Sequence, residues 1–179
     1  MPPRPFRQGH FDGLCSLYAL VNAITVTTAE LGAVAPRPRP LFRRLARELD
    51  ARGLLLTALT NGLDIDQLMP LLDPCREWAA TWWGIDLLFE RPFPHGATPA
   101  KLLGRLRMEL SRPHTAAIIA MAGTLNHWTC IRAIERRRLW LHDSDGLAYF
   151  REATFQRPPR DDAAGRWPVA DSLIVVQAQ

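Results

Sequence analysis

The sequence LCSLYALVNAIT, residues 14–25, decides the fold of this protein. Apolar side chains fall on most faces of this stretch, which predicts a helix buried in the middle of a domain rather than one on its surface. Asp12 and Gly13 precede it, and a turn at these small residues would present Cys15 in the first turn of the helix. We therefore expect the N-terminus of a buried helix to place Cys15 at the mouth of a cleft.

Start and stop signals predict further helices between this stretch and the middle of the chain. A stiff, polyproline-like connector at residues 36–40 leads into an amphipathic, arginine-rich helix at residues 41–51. Asp64 and Gln67 form a capping box before one short helix. Asp73-Pro74 and Gly84 mark the two ends of a second short helix. After a loop at residues 91–97, Thr98-Pro99 begins a further helix at residues 98–110.

Strand signals are concentrated in the C-terminal half. They are short apolar or alternating runs separated by turn residues, at residues 115–122, 127–134, 138–143 and 172–178. Because helices come first and strands second, we predict an α+β fold in which N-terminal helices pack on a largely antiparallel C-terminal sheet. A chain of 179 residues, 47% of them hydrophobic, is suited to one domain over residues 1–179. Residues 156–167 are predicted to be a surface loop.

Composition narrows the class of protein. The net charge is +4, but the basic residues are nearly all arginine, and basicity of this kind does not indicate specific nucleic-acid binding. Three widely separated cysteines argue against a disulfide framework, and neither the cysteines nor the histidines have zinc-ligand spacing, so we predict no metal and no cofactor. No run is long and apolar enough for a signal peptide or membrane span. We expect a soluble cytoplasmic protein without membrane partners; export without a cleavable signal and the oligomeric state are left open.

Cys15 is the candidate nucleophile. A cysteine attacks carbonyl groups as the thiolate, and the unpaired N–H groups and dipole of a helix N-terminus favour that anion. Gln8 lies seven residues earlier, in the loop that enters the same helix. Its side-chain amide is a candidate to join the Cys15 backbone N–H in holding the oxyanion of a tetrahedral intermediate.

His127 and Asp143 are the candidate partners of Cys15. His127 begins the strand HWTCIRAI, and Asp143 ends the next strand, RLWLHD. If the two strands pair as a hairpin centred near Arg136, position 127 falls opposite position 145, so that Asp143 and Asp145 both end close to the imidazole. Either carboxylate would fix the histidine tautomer and stabilise an imidazolium paired with a thiolate.

These residues resemble a known family. The stretch QGHFDGLCSLYALVN at residues 8–22, with Asn126-His127-Trp128 and Leu141-His142-Asp143-Ser144, is similar to the papain-like cysteine peptidase superfamily in its chain order of Gln, Cys, His and Asp. The most similar members are the bacteriocin-processing peptidase domains of exporters and the Josephin deubiquitinases. The resemblance implies a papain-like fold and a cysteine peptidase or isopeptidase. It also implies Cys15 as nucleophile, His127 as general base and acid, Asp143 as its orienting partner and Gln8 as oxyanion donor.

The resemblance also bears on the substrate and on the alternatives. Those relatives have tight clefts that favour glycine near the scissile bond, which suggests a protein or peptide substrate with glycine there. A deamidase or acyltransferase would use the same site and the same thioester, and a binding module could retain the fold without catalysis. The sequence leaves these alternatives open.

The remaining conspicuous residues are interpreted as structural. Cys75 and Cys130 fall inside a predicted helix and strand, where packing is the simpler role. His142 is expected to face away from Asp143, and Trp128 is a candidate shield that keeps water from the His127–Asp143 pair. The other residues of this kind are three tryptophans at helical spacing, interpreted as core: Trp78, Trp82 and Trp83. Two arginine groups are interpreted as solvated faces, with a surface for an acidic partner as the alternative: Arg43, Arg44 and Arg47, and Arg136 to Arg138.

Overall fold

The computed structural model describes residues 3–8, 13–29, 31, 38–156 and 165–179. The helices are α1 (Cys15–Thr28), α2 (Pro38–Ala51), α3 (Leu55–Asn61), α4 (Ile65–Leu68), α5 (Leu72–Trp83), α6 (Pro99–Leu110) and α7 (Glu152–Phe155). The strands are β1 (Leu87–Glu90), β2 (Thr115–Gly123), β3 (His127–Glu135), β4 (Arg138–Leu141), β5 (Tyr149–Arg151), β6 (Arg166–Pro168) and β7 (Ile174–Ala178). The fold is therefore α+β, as the sequence predicts.

Helix α1 lies at the centre of the fold. Nearly every residue in it is buried, and Leu17, Leu20 and Ile24 are fully enclosed. Its apolar surface packs against β2, β3 and β7 on one side and against α2 on the other. A helix that is apolar all round has no stable place at a surface, and this explains why α1 becomes the element around which the others assemble.

The sheet is open and antiparallel, with seven strands among the described residues. Its order is β1-β7-β2-β3-β4-β5, and β6 pairs with β2. The β3–β4 hairpin turns at Arg136 and Arg137, both with positive φ, and pairs Glu135 with Arg138 and Ile131 with Leu141. The predicted hairpin centre is thus confirmed, and the register brings the start of β3 alongside the segment that follows β4.

Both faces of the sheet carry a hydrophobic core, with α1 on one side and α6 on the other. Ile118 and Cys130 face α1, whereas their neighbours Ile119 and Ile131 face the opposite way and pack in a second cluster with the apolar residues of α6. A strand that is buried on both faces has an uninterrupted run of apolar residues in its sequence, and residues 115–122 form such a run. The antiparallel sheet is therefore covered on two sides.

Proline at the start of two helices shifted their predicted boundaries. Residues 38–40 form the first turn of α2 and not a polyproline connector, because proline fits the first helical turn, where no N–H partner is needed; residues 36–37 lie outside the described chain. Asp73 and Pro74 likewise lie within the first turn of α5, which begins at Leu72 after a 3₁₀ turn. The capping box of Asp64 and Gln67, however, is present.

Other predicted boundaries agree closely with the structure. Thr98 caps α6, Gly84 ends α5 in the left-handed conformation, and the four predicted strands correspond to β2, β3, β4 and β7. Five elements had no recognised signal and are short: α3, α7, β1, β5 and β6. Most of the predicted loop at 156–167 lies outside the described residues, but its last two positions belong to β6.

None of the helices in the described part of the chain has the length and apolar character required to cross a membrane.

Candidate active site

Cys15 is the first residue of α1 and is almost buried, with 8% of its surface exposed. Leu14 occupies the N-cap position and has no side chain that could accept a hydrogen bond from the first-turn N–H groups. The Sγ atom lies 3.8 Å from the carbonyl oxygen of Gly13, the distance of a weak thiol contact. The sulfur therefore sits where helix N–H groups favour negative charge.

His127 links Cys15 to Asp143. Its Nε2 atom lies 2.9 Å from Oδ2 of Asp143, and the Cys15 side chain is close enough to the ring to raise the His127 pKa. Because the carboxylate engages Nε2, Nδ1 is the nitrogen left for Cys15. The structure thus brings Cys15, His127 and Asp143 together from three separate elements: the start of α1, the start of β3 and the loop after β4.

Asp143 is held by four donors. Oδ2 accepts from His127 and, at 2.6 Å, from the hydroxyl of Thr129; Oδ1 accepts from the backbone N–H groups of Asp145 and Leu147. The carboxylate is 2% exposed, so these donors replace the water it would otherwise bind. Asp145 contributes its backbone N–H, and its side chain is exposed, so Asp143 is the carboxylate that contacts the imidazole.

Electrostatics in this buried group favour the charged pair. Burial by itself lowers the pKa of His127, but the hydrogen bonds to Asp143 and Cys15 and the negative charges of these two residues outweigh it and raise the pKa to about 10. For Asp143 burial acts in the opposite sense, and its hydrogen bonds with His127 and Thr129 keep its pKa below the ordinary value. At neutral pH the imidazolium is therefore the stable form of His127 beside an ionised Asp143.

Gln8 lies beside the loop that carries Asp143. Its backbone N–H donates to the carbonyl of Ser144 at 3.2 Å, and its side-chain oxygen accepts from the Ser144 hydroxyl at 3.4 Å. Its segment is anchored to α1 through Asn22, whose side chain donates to and accepts from the backbone of Phe6. Gln8 therefore lies next to the loop that carries Asp143. Its role as oxyanion donor stays a prediction.

Gly13 brings α3 against the start of α1. Its N–H donates to the carbonyl of Leu59 at 2.8 Å, and a methyl group at this position would lie 2.7 Å from the carbonyl oxygen of Ala58. These are backbone atoms, which cannot rotate away. Glycine is therefore required here for close packing, and α3 forms one wall beside Cys15.

We expect Gly13→Ala to lower the free energy of unfolding by about 1–3 kcal/mol, because the added methyl group must push α3 away from α1. Urea unfolding followed by circular dichroism measures the change. Gly104→Ala is the matched control: Gly104 lies within α6 with nothing near its Cβ position, so alanine there should raise the stability by about 0.5–1 kcal/mol. Equal stability of wild type and Gly13→Ala would contradict the packing argument.

A cleft of about 510 Å³ is lined by the sequence neighbours of His127, but not by Cys15, His127 or Asp143 themselves. The 57–67 segment forms one side, Asn126 and Trp128 of the β2–β3 region form the other, and Gly62 in its wall lies against Gly13. Trp128 points to the α1 side of the sheet, and its indole N–H donates to the carbonyl of Leu63 at 2.9 Å. Trp128 is therefore a cleft wall, and its role as a shield of the His127–Asp143 pair stays a prediction.

The other candidate residues stay apart from the site chemistry. Cys75 and Cys130 are fully buried, and burial raises the pKa of both thiols far above the usual range. Burial and the positive charge of Arg132 lower the pKa of His142 to about 4, so this histidine is neutral at physiological pH. Within the described residues no group of acidic, histidine and cysteine side chains is arranged to hold a metal ion.

The aromatic and arginine predictions have mixed outcomes. The arginines that were predicted to be solvated are exposed: Arg43, Arg44 and Arg47 of α2 and Arg136 to Arg138 of the β3–β4 hairpin. Trp78 and Trp83 are partly buried, but Trp82 is 66% exposed, so this helical set is not wholly core.

Sequence reasoning missed Thr129. It stands two residues after His127 in β3, and the alternation of side chains along a strand places both on the same face. That alternation was the available signal. Ser144 was noted only as part of a motif, and its contacts with Gln8 depend on a pairing across 136 positions that no local pattern reveals.

No protein-family model matches this chain, and a search of curated proteins finds no match either.

Proposed function

We propose that this protein is a cysteine peptidase or isopeptidase that cleaves a peptide or amide bond through an acyl-enzyme at Cys15. The observation that carries the proposal is the grouping of Cys15 and His127 with a buried Asp143 that hydrogen-bonds the imidazole. Its three members have the chemical types and the order of contacts that nucleophilic catalysis by a thiol requires. A structural histidine with a turn aspartate would not need a cysteine at a helix N-terminus as its second partner.

The reaction follows from this arrangement. The Cys15 thiolate attacks the carbonyl carbon, and the resulting oxyanion lies near the first-turn N–H groups of α1, with Gln8 as the proposed side-chain donor. The His127 imidazolium gives its proton to the leaving amine as the C–N bond breaks, leaving a thioester at Cys15. Neutral His127 then takes a proton from water, whose oxygen attacks the thioester, and the carboxylic acid product and the thiolate are released.

The proposal includes a papain-like fold. It is supported by the order Gln8, Cys15, His127 and Asp143 along the chain and by a central helix packed on an antiparallel sheet. A protein or peptide substrate is proposed, and the cleft of about 510 Å³ between the 57–67 segment and Asn126 and Trp128 is large enough for a short extended segment. Glycine near the scissile bond is carried over from the resemblance.

Thiol labelling tests the proposal without knowledge of the substrate. We expect iodoacetamide at neutral pH to modify Cys15 at least about tenfold faster than Cys75 or Cys130, because only Cys15 pairs with an imidazolium and the other two thiols are held neutral by burial. Peptide mapping by mass spectrometry gives the three rates. Cys75 and Cys130 serve as internal controls, and equal slow labelling of all three would exclude catalysis by thiolate attack.

The products distinguish hydrolysis from the related reactions of a thioester. A proteome-derived peptide library should yield new peptide termini that are absent when the enzyme carries Cys15→Ala. Conversion of glutamine to glutamate would instead identify a deamidase, and a new isopeptide bond would identify an acyltransferase.

A further inference from the structure

One part of the sheet has an exposed face that carries arginine and aromatic side chains. In β4 and β5, Leu139, Leu141 and Phe150 point into the core beneath α6. The side chains between them therefore point to the opposite face, where α1 covers β2, β3 and β7. The residues on this exposed face, together with Arg132 from an irregularity in β3, are here called the arginine platform: Arg132, Arg138, Trp140, Tyr149 and Arg151.

The platform is organised by contacts between guanidinium groups and rings. The Arg138 guanidinium lies 4.5 Å from the centre of the Tyr149 ring and 5.9 Å from that of Trp140. Arg132 approaches the Trp140 ring at 5.9 Å, and the two rings contact each other at 5.6 Å. Such cation–π contacts restrain long side chains that would otherwise move freely in water.

The charges of the platform are unbalanced. Arg138 and Arg151 stand directly opposite each other in the β4–β5 register, an arrangement of like charges that destabilises a sheet. Within the described chain neither of them, nor Arg132, forms an ion pair with a carboxylate. Glu135 is opposite Arg138 on β3 but does not pair with it, and the exposed Arg136 lies beside them. A face that retains this repulsion gains stability when a negatively charged partner binds.

We propose that the arginine platform is a docking surface for an acidic segment of a partner polypeptide. Two guanidinium groups held over two rings, with Arg151 opposite Arg138, offer several planar donor pairs, the geometry that carboxylates accept in a bidentate manner. Guanidinium groups lie against both rings and leave less ring surface for the base stacking that single-stranded nucleic acid needs. Carboxylate side chains are thus the ligands that this surface fits.

The Arg138–Arg151 end of the platform lies away from the proposed catalytic residues. Arg138 is next to the β3–β4 turn, at the opposite end of β3 from His127. Docking there would hold an acidic partner or an acidic region of a substrate at a distance from Cys15, and its binding does not depend on the peptidase proposal. A binding measurement therefore tests the platform even if the protein has no hydrolase activity.

Fluorescence anisotropy with the full chain tests the docking surface. The probe is a fluorescein-labelled oligoglutamate peptide, and we expect Arg138→Gln/Arg151→Gln to weaken its binding roughly tenfold. The matched control, Arg43→Gln/Arg47→Gln, removes the same charge from exposed positions on α2 and should leave binding unchanged within about twofold. Arg151→Glu separates a loss of binding from a loss of folding. A carboxylate opposite Arg138 should raise Tm by about 2 °C, whereas binding of the oligoglutamate peptide should be lost.

Several results would overturn the proposal. These are equal weakening by the α2 control, unchanged binding after Arg138→Gln/Arg151→Gln, and equal affinity for an oligoglutamine peptide of the same length. Tighter binding of a labelled oligothymidylate than of oligoglutamate would assign the surface to nucleic acid instead. A lower Tm for Arg151→Glu would show that the opposed arginines serve stability and not recognition.

Discussion

Cys15→Ala is expected to lower kcat by at least about 10⁴-fold, because the acyl-enzyme cannot form without the sulfur. The fold should survive the change. Cys15 makes a weak 3.8 Å contact with Gly13, and alanine fills most of its space at the start of α1, so the loss of unfolding free energy should be about 1 kcal/mol. Turnover of a cleavable peptide found in the library and thermal unfolding measure the two effects.

The His127 pKa in Cys15→Ala can be measured without a substrate. The Cys15 side chain hydrogen-bonds His127, and its negative charge helps to raise the His127 pKa to about 10. We expect this pKa to fall in Cys15→Ala, which a titration of the imidazole by NMR detects. Cys75→Ala is the control, since Cys75 is fully buried in α5 and should change neither the titration nor the turnover. Retained activity in Cys15→Ala would remove the proposed function.

Asp143→Asn should reduce kcat by about 10³–10⁴-fold with little change of shape. The amide oxygen can still accept from the backbone N–H groups of Asp145 and Leu147. Its NH₂ group, however, would donate to Nε2 of His127, which places the ring proton on Nδ1, facing Cys15. That tautomer cannot receive the thiol proton. Single-turnover kinetics of acylation measure the loss.

Asp145→Asn is the matched control for this prediction. Asp145 is exposed, and only its backbone N–H contacts the site, so the variant should retain activity within about twofold. A large loss in Asp145→Asn with normal acylation by Asp143→Asn would identify Asp145 as the orienting carboxylate.

The pH dependence of stability should also change in Asp143→Asn. The pKa of His127 is raised in the folded protein, so its contribution to stability is complete below about pH 6.5 and is lost as the pH rises towards 10. The pKa of Asp143 is lowered, so its contribution is present above about pH 4 and is lost as the pH falls further. Wild type should be stabilised most by this pair between those values. Tm measured across the alkaline range should decline less in Asp143→Asn than in wild type.

Local pattern was sufficient for much of the fold. The apolar run of residues 14–25 could only be a buried helix, the capping box at Asp64 ended one loop, and the charged turn at 135–137 set the centre of the β3–β4 hairpin. From that centre the proximity of His127 and Asp143 followed, because a hairpin's register is fixed by its turn. These predictions depend on residues within a few positions of one another or on a single closed hairpin.

Contacts between distant parts of the chain required the tertiary structure. Trp128 reaches the carbonyl of Leu63 across 65 positions, and Gln8 meets Ser144 across 136. The docking of α6 on the second face of the sheet and of α3 on Gly13 is of the same kind. Such contacts form when the whole core closes around α1. The hydrophobic effect that drives this closure is not directional, so a short stretch of sequence does not specify which distant residues will meet.

The sequence by itself determined that Cys15 begins a buried helix and that one hairpin carries both His127 and Asp143. Only the tertiary structure decided that Asp143 and not Asp145 contacts the imidazole, and that Thr129 completes the set of donors around it. The physical reason is range. Periodicity and turn chemistry act over a few residues, whereas the choice among neighbouring carboxylates depends on angstrom distances that are set when α1, β3 and the loop after β4 pack together.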